Sequence, residues 1–122
     1  MDSHAVLIID DEKDICFLLG NLLSEKKYSV SIANNLTDGL AKLNTVKPAV
    51  LFLDIRLPDG SGLDAIGDIR KQNPGIKIIM MSAYDGVKER KYAMEQGADF
   101  FLGKPLNRDV INQTIQHIQE KI

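Results

Sequence analysis

The sequence predicts an α/β domain, a doubly wound five-stranded parallel sheet with helices on both faces. Three observations predict it. Five short runs rich in Val, Ile, Leu and Phe (residues 5–9, 30–33, 49–53, 76–81 and 100–102) are too short for helices and read as strands. The stretches between them carry a helical period. Three of the runs are apolar almost throughout, as in strands buried on both faces of a parallel sheet. Strand and helix in strict alternation imply right-handed crossovers between parallel neighbours.

In chain order, the first strand runs into Asp10, Asp11 and Glu12. Ile15, Leu18, Leu19, Leu22 and Leu23 then form one helical face, with Asp14 as the expected N-cap. The second strand ends at Asn34 and Asn35, and Leu36, Leu40 and Leu43 give a shorter stripe. The third strand is followed by Asp54, a turn from Pro58 to Gly62, and a helix carrying Leu63, Ile66 and Ile69. Ser82 follows the fourth strand. The next helix has the poorest stripe: Val87 and Met94 lie seven apart with Arg90 and Lys91 between them, so thin packing is expected. Lys104 and Pro105 follow the fifth strand. Asn107 is the expected N-cap of a last helix whose face is Ile111, Ile115, Ile118 and Ile122.

The 122 residues predict one domain, residues 1–122, that buries roughly two-thirds of the chain's surface without staples. Fifteen basic against seventeen acidic residues give a net charge of −2, which excludes a broad basic surface for nucleic acid. Cys16 is alone and forms no intrachain disulfide; it reads as a packing residue. The longest apolar runs are far short of a membrane span, and the first leads straight into acidic residues, unlike a signal peptide. A cytoplasmic chain without direct nucleic-acid or membrane contact is therefore expected.

In doubly wound sheets ligands bind beyond the carboxyl ends of the strands. Four of those ends present Asp10, Asp11 and Glu12, then Asp54, Ser82 and Lys104. Any one of these residues alone reads as a cap or a turn. Together they place carboxylates, a hydroxyl and an ammonium on one rim. Two like charges ~4 Å apart repel by about 4 kcal/mol at an effective dielectric near 20, so such crowding calls for a cation or a proton. Oxygen donors without His or Cys suit Mg²⁺, Mn²⁺ or Ca²⁺, and two or three carboxylates plus water suit octahedral Mg²⁺.

Residues 6–12 (VLIIDDE), 53–62 (LDIRLPDGSG), 81–83 (MSA) and 97–105 (GADFFLGKP) closely resemble the receiver domain of two-component response regulators, and the resemblance covers the whole chain. It implies a flavodoxin-like sheet of order 2-1-3-4-5 and a signalling phospho-acceptor rather than an enzyme with turnover. Asp54 would take a phosphoryl group from a phosphohistidine on a sensor histidine kinase or phosphotransfer protein. Mg²⁺ would be held directly by Asp11, Asp54 and the Arg56 carbonyl, and through water by Asp10. Ser82 and the Ala83 N–H would contact the phosphoryl group, Lys104 would pair with it, and the bond between Lys104 and Pro105 would be cis. Ser82 and the aromatic position at Phe101 would form the switch, Phe101 turning inward on activation. Arg56 and Tyr84 would flank the phosphate and tune its loss. The resemblance also implies a monomer or weak dimer through the fourth helix, fifth strand and fifth helix. With no helix-turn-helix, ATPase or cyclase segment after Ile122, a stand-alone receiver without an output domain, or one expressed alone, is expected, its output partner, not identified by the sequence, reached by protein contact.

Two other readings compete. A haloacid-dehalogenase-like phosphatase also uses an aspartyl phosphate and Mg²⁺, but needs a D-x-D pattern after the first strand, where Asp10, Asp11 and Glu12 stand. A pseudo-receiver would bind partners without phosphorylation; the intact set Asp11, Asp54, Ser82 and Lys104 argues against it. The match of residues 60–65 to G-x-G-x-x-A is set aside because it does not directly follow its strand and would point Asp64 at a pyrophosphate. His4 and His117 stand at opposite ends of the chain and suggest no zinc site.

Overall fold

The computed structural model describes residues 2–83 and 86–121. The elements run β1 (Asp2–Ile9), α1 (Lys13–Glu25), β2 (Ser29–Ala33), α2 (Leu36–Val46), β3 (Pro48–Asp54), β4 (Arg56–Leu57), β5 (Gly60–Ser61), α3 (Gly62–Gln72), β6 (Lys77–Ser82), α4 (Val87–Gln96), β7 (Phe100–Gly103) and α5 (Arg108–Lys121). The main sheet has the order β2-β1-β3-β6-β7, and each of its neighbouring pairs is parallel. Counted along the main sheet alone, this is 2-1-3-4-5. The turn expected between Pro58 and Gly62 is narrower: Pro58 and Asp59 form the tip of a small antiparallel hairpin, β4 with β5, and Gly62 already begins α3.

Alternation along the strands divides the core in two. Leu7, Ile9, Leu51, Leu53, Ile78, Met80 and Phe101 face one side, with Leu43 of α2, Ile66 and Ile69 of α3 and Ala93 of α4. Val6, Ile8, Val50, Phe52, Ile79, Met81 and Leu102 face the other, with α1 and α5. All seven residues of β3 are buried, which explains why that run lacks polar alternation.

Several local expectations are corrected. Asp14 does not cap α1; it lies in the first turn, and Glu12 is the N-cap residue without a side-chain cap bond. The Glu12 carboxylate is instead held by Lys104. Leu40 is exposed, because α2 turns Gly39 inward against Ile9: a Cβ on Gly39 would sit 2.4 Å from Ile9 Cδ1. Val87 and Met94 are exposed too, and α4 buries Ala93 alone among its residues, so the thin packing holds but rests on a different side chain. Asn107 caps as expected, its Oδ1 accepting the Val110 N–H at 2.9 Å. Ile122, expected to close the last stripe, lies outside the described residues.

One tie was not foreseen. Arg70 of α3 donates to the Gly97 carbonyl at the end of α4, to the Pro74 and Ile76 carbonyls, and to Asp99, whose Oδ2 also accepts the Ile78 N–H. A single guanidinium thus joins α3 to the entries of β6 and β7. Gly97 closes α4 at φ 119°, a conformation open to glycine without strain.

Candidate functional site

The rim is built by extending the ladder just past the strands. Asp10 N–H donates to the Ala33 carbonyl at 3.0 Å, Ile55 N–H to Met81 at 3.1 Å, and Lys104 N–H to Ser82 at 2.7 Å. These bonds extend the pairing of β1 with β2, of β3 with β6 and of β6 with β7. Asp10 and Ser82 are fully buried and Asp54 nearly so. Ala83 is exposed beyond Ser82. The peptide bond between Lys104 and Pro105 is cis, as expected.

Lys104 is the centre of the cluster. Its Nζ lies 2.8 Å from Glu12 Oε1, 3.1 Å from Asp10 Oδ2 and 3.4 Å from Asp54 Oδ2. Oxygens of Asp10, Glu12 and Asp54 come within 4.8 Å of one another. Asp11, expected as a direct ligand, is exposed and outside this group. Glu12, itself exposed, was the residue missed: the acidic run was legible, but which member meets Lys104 depends on where α1 begins. Asp10 Oδ1 accepts the Glu12 N–H at 2.8 Å, while its Oδ2 is buried without a hydrogen bond, 3.1 Å from the ammonium. An all-oxygen donor set with a buried, under-coordinated carboxylate oxygen fits a hard cation.

Burial pushes the Asp54 carboxyl up to about 6; the Asp10 charge adds to this, while Lys104 and the Arg56 N–H oppose it. Burial likewise raises Asp10. For Lys104 burial works downward, but its hydrogen bond to Glu12 and the close carboxylates of Asp10 and Asp54 hold it above the usual lysine range. The ammonium therefore stays charged, and the carboxylates compete for it.

A testable pH dependence follows. The folded chain binds the Asp54 proton more tightly than the unfolded chain does, so this group's stability contribution is fully present below about pH 4. It is lost as pH rises through about 6. The loss should amount to up to about 3 kcal/mol, read as the difference between urea titrations of the parent and of Asp54→Asn from pH 4 to pH 8. Parallel profiles for the two proteins would refute the buried carboxylate.

Around the cluster, Phe101 is already 7% exposed, with the Arg90 guanidinium 4.9 Å above its ring. The inward turn expected of Phe101 therefore has no exposed ring to start from. Tyr84 lies outside the described residues. Cys16 packs beneath Asp10, its thiol donating to the Asp10 carbonyl at 3.4 Å. Burial and the Asp10 charge push that thiol up to about 11, in keeping with a packing role.

Residues 6–116, nearly the whole chain, match the family described as response regulator receiver domain. The chain belongs to that family. The receiver is similar to the transcriptional regulatory protein GlrR of Escherichia coli (strain K12), 31% identical over 116 residues, or 95% of the chain and 26% of GlrR. It thus spans about a quarter of that regulator's length. Among solved structures it is similar to a two-component response regulator from Clostridium difficile, 30% identical with a TM-score of 0.91, covering 97% of each chain. It is also similar to a Burkholderia pseudomallei response regulator with a phosphorylated aspartic acid, a calcium ion and citrate. That protein is 26% identical with a TM-score of 0.83, covering 98% of this chain and 72% of that one. Membership makes the chain a signalling phospho-acceptor domain and sets aside the phosphatase reading. Among the described residues no helix is long and apolar enough to cross a membrane.

Proposed function

We propose that Asp54 is the phosphoryl acceptor and that Mg²⁺ assists it. The observation that carries this is a carboxylate at the end of the fully buried central strand, 3.4 Å from a lysine ammonium and beside a second buried carboxylate. In the transfer, an Asp54 oxygen bonds to phosphorus as the P–N bond of a phosphohistidine breaks. The histidine nitrogen leaves with the electron pair and takes a proton. The phosphorylated aspartic acid of the Burkholderia pseudomallei regulator supports the reading.

Asp10, Asp54 and Glu12 stand close enough to share a cation; Asp11 and the Arg56 carbonyl are further candidates from the family pattern. Bound there, Mg²⁺ would supply positive charge against the repulsion between carboxylate and phosphoryl oxygens. Lys104 supplies a point cation for the charge that remains. The Ser82 hydroxyl and the Ala83 N–H would donate to the transferred group. Ser82, with the Phe101 ring beneath Arg90, would relay the change to a face made by α4, β7 and α5. That face would serve an output protein or a weak dimer of receivers in the cytoplasm, with a sensor histidine kinase or phosphotransfer protein as donor.

Incubation with acetyl phosphate and Mg²⁺ should add one phosphoryl group to Asp54, located by mass spectrometry; no label, or label elsewhere, overturns the assignment. Mg²⁺ should also raise the melting temperature. A ligand that binds only the native state adds about 1.4 kcal/mol at roughly ten times its Kd. Identical midpoints with Mg²⁺ and with chelator would remove the metal site.

A further inference from the structure

We propose that Asp59, at the tip of the β4–β5 hairpin, is a positioning residue that holds the loop after Asp54 in register with the acceptor by capping helix α2. This rests on Asp54 being the acceptor. The Asp59 carboxylate reaches across more than twenty residues of sequence. Its Oδ1 accepts the Leu36 N–H at 2.7 Å, and its Oδ2 accepts the Thr37 N–H at 2.8 Å and the Thr37 hydroxyl at 2.6 Å. The next amide of α2, Asp38 N–H, is taken by Asn35 Oδ1 at 2.8 Å, and Gly39 N–H by the Asn35 carbonyl. Three of the four amides that a helix leaves unpaired at its start are thus shared between a local cap and a distant one, and Gly39 N–H begins the ladder within the helix. Without Asp59, α2 would keep Asn35 and lose two partners. The hairpin would lose its polar tether to the body of the domain.

That tether matters because of what lies at the other end of the hairpin. The Arg56 N–H donates to the Asp54 carboxylate. Gly62 N–H donates to the Ile55 carbonyl at 2.7 Å, and a Cβ on Gly62 would stand 2.2 Å from the Asp54 carbonyl oxygen. The hairpin therefore folds directly back on the acceptor's own backbone. Leu57 is buried in the core, and Gly60 lies against Leu36, where a Cβ would come within 3.0 Å of Leu36 Cδ2. Asp59 fixes the tip of this lever, and Arg56 sits at its base. A shift of the tip changes the hydrogen bond that orients Asp54 and moves the Arg56 carbonyl that the cation would use. Outer groups that orient metal ligands typically matter by about 10–100-fold in affinity. An exposed group acting through one loop belongs at the low end.

The test compares the parent chain, Asp59→Asn and Asp59→Ala. In the metal-free proteins, hydrogen exchange by NMR should show faster exchange at Leu36 and Thr37 and also at Arg56. With Mg²⁺, calorimetric titration should show affinity falling about tenfold in Asp59→Ala and less in Asp59→Asn, which keeps one acceptor. Labelling by acetyl phosphate at saturating Mg²⁺ should recover towards the parent rate. If Asp59→Ala exchanges faster only at Leu36 and Thr37, with Mg²⁺ affinity within twofold of the parent, Asp59 is a helix cap and the proposal fails. If Asp59→Ala does not fold, the same comparison is decided on Asp59→Asn. A parent chain that neither binds Mg²⁺ nor takes label overturns the acceptor assignment and this proposal with it.

Discussion

Replacing Asp54 by Asn should abolish phosphoryl transfer to the chain and, in the metal-free protein at pH 7.5, raise the melting temperature. The two effects have one cause. The Asp54 carboxylate is nearly buried beside buried Asp10, and its pKa of about 6 records the cost of keeping it charged. An amide of the same shape still accepts the Arg56 N–H but carries no charge, so up to about 3 kcal/mol of strain in the folded state is removed. An amide is also no nucleophile toward phosphorus. Mg²⁺ should then stabilise the variant far less than it stabilises the parent. Thermal melts with chelator decide the matter: an Asp54→Asn chain that melts below its parent would show that the carboxylate is a net stabiliser, contrary to this electrostatic account.

The opposite outcome is expected for Lys104→Met. The Lys104 side chain is 7% exposed and faces three carboxylates, two of them buried. Removing one partner of a buried ion pair leaves charge uncompensated and typically costs about 3–5 kcal/mol. The loss should shrink toward pH 5, because without the ammonium Asp10 and Asp54 hold protons more tightly in the folded state than in the unfolded one. It should also shrink when Asp54→Asn is added, since that variant has less charge to balance. Denaturant titrations of the two single variants and the double variant measure this coupling. Strict additivity would mean that Lys104 and Asp54 act independently despite their separation of 3.4 Å.

Much of this was legible in the sequence because burial on both faces demands it. A parallel sheet leaves its strands little freedom to be polar, so 49–53 and 76–81 stand out in composition. The residues that end those strands are then placed on one rim by topology alone. Which neighbour of Asp10 in the acidic run meets Lys104 was not legible. Asp11 and Glu12 are chemically alike, and only the helix start at Lys13 and the position of Lys104 choose between them. The side chain of α2 that faces the sheet was misread for a related reason: a glycine gives no apolar signal, yet Gly39 takes the inside position against Ile9. The state of Phe101 is a rotamer under a guanidinium, and rotamers leave no periodicity. The reach of Asp59 to Leu36 and Thr37 joins a hairpin tip to the start of a distant helix, which neither propensity nor patterning encodes.

The order of the main sheet has a kinetic consequence. Its pairings join residues far apart in sequence: Val6 meets Val50, Val50 meets Lys77, and Ile79 meets Phe100. Each ladder must close a long loop before its contacts repay the lost entropy, so the barrier to folding is set by topology. The rim draws Asp10, Asp54, Ser82 and Lys104 from four different strand ends, and it is whole only after all those loops have closed. A ligand that grips the finished rim arrives too late to speed folding. It lengthens the lifetime of the native state by slowing escape from it.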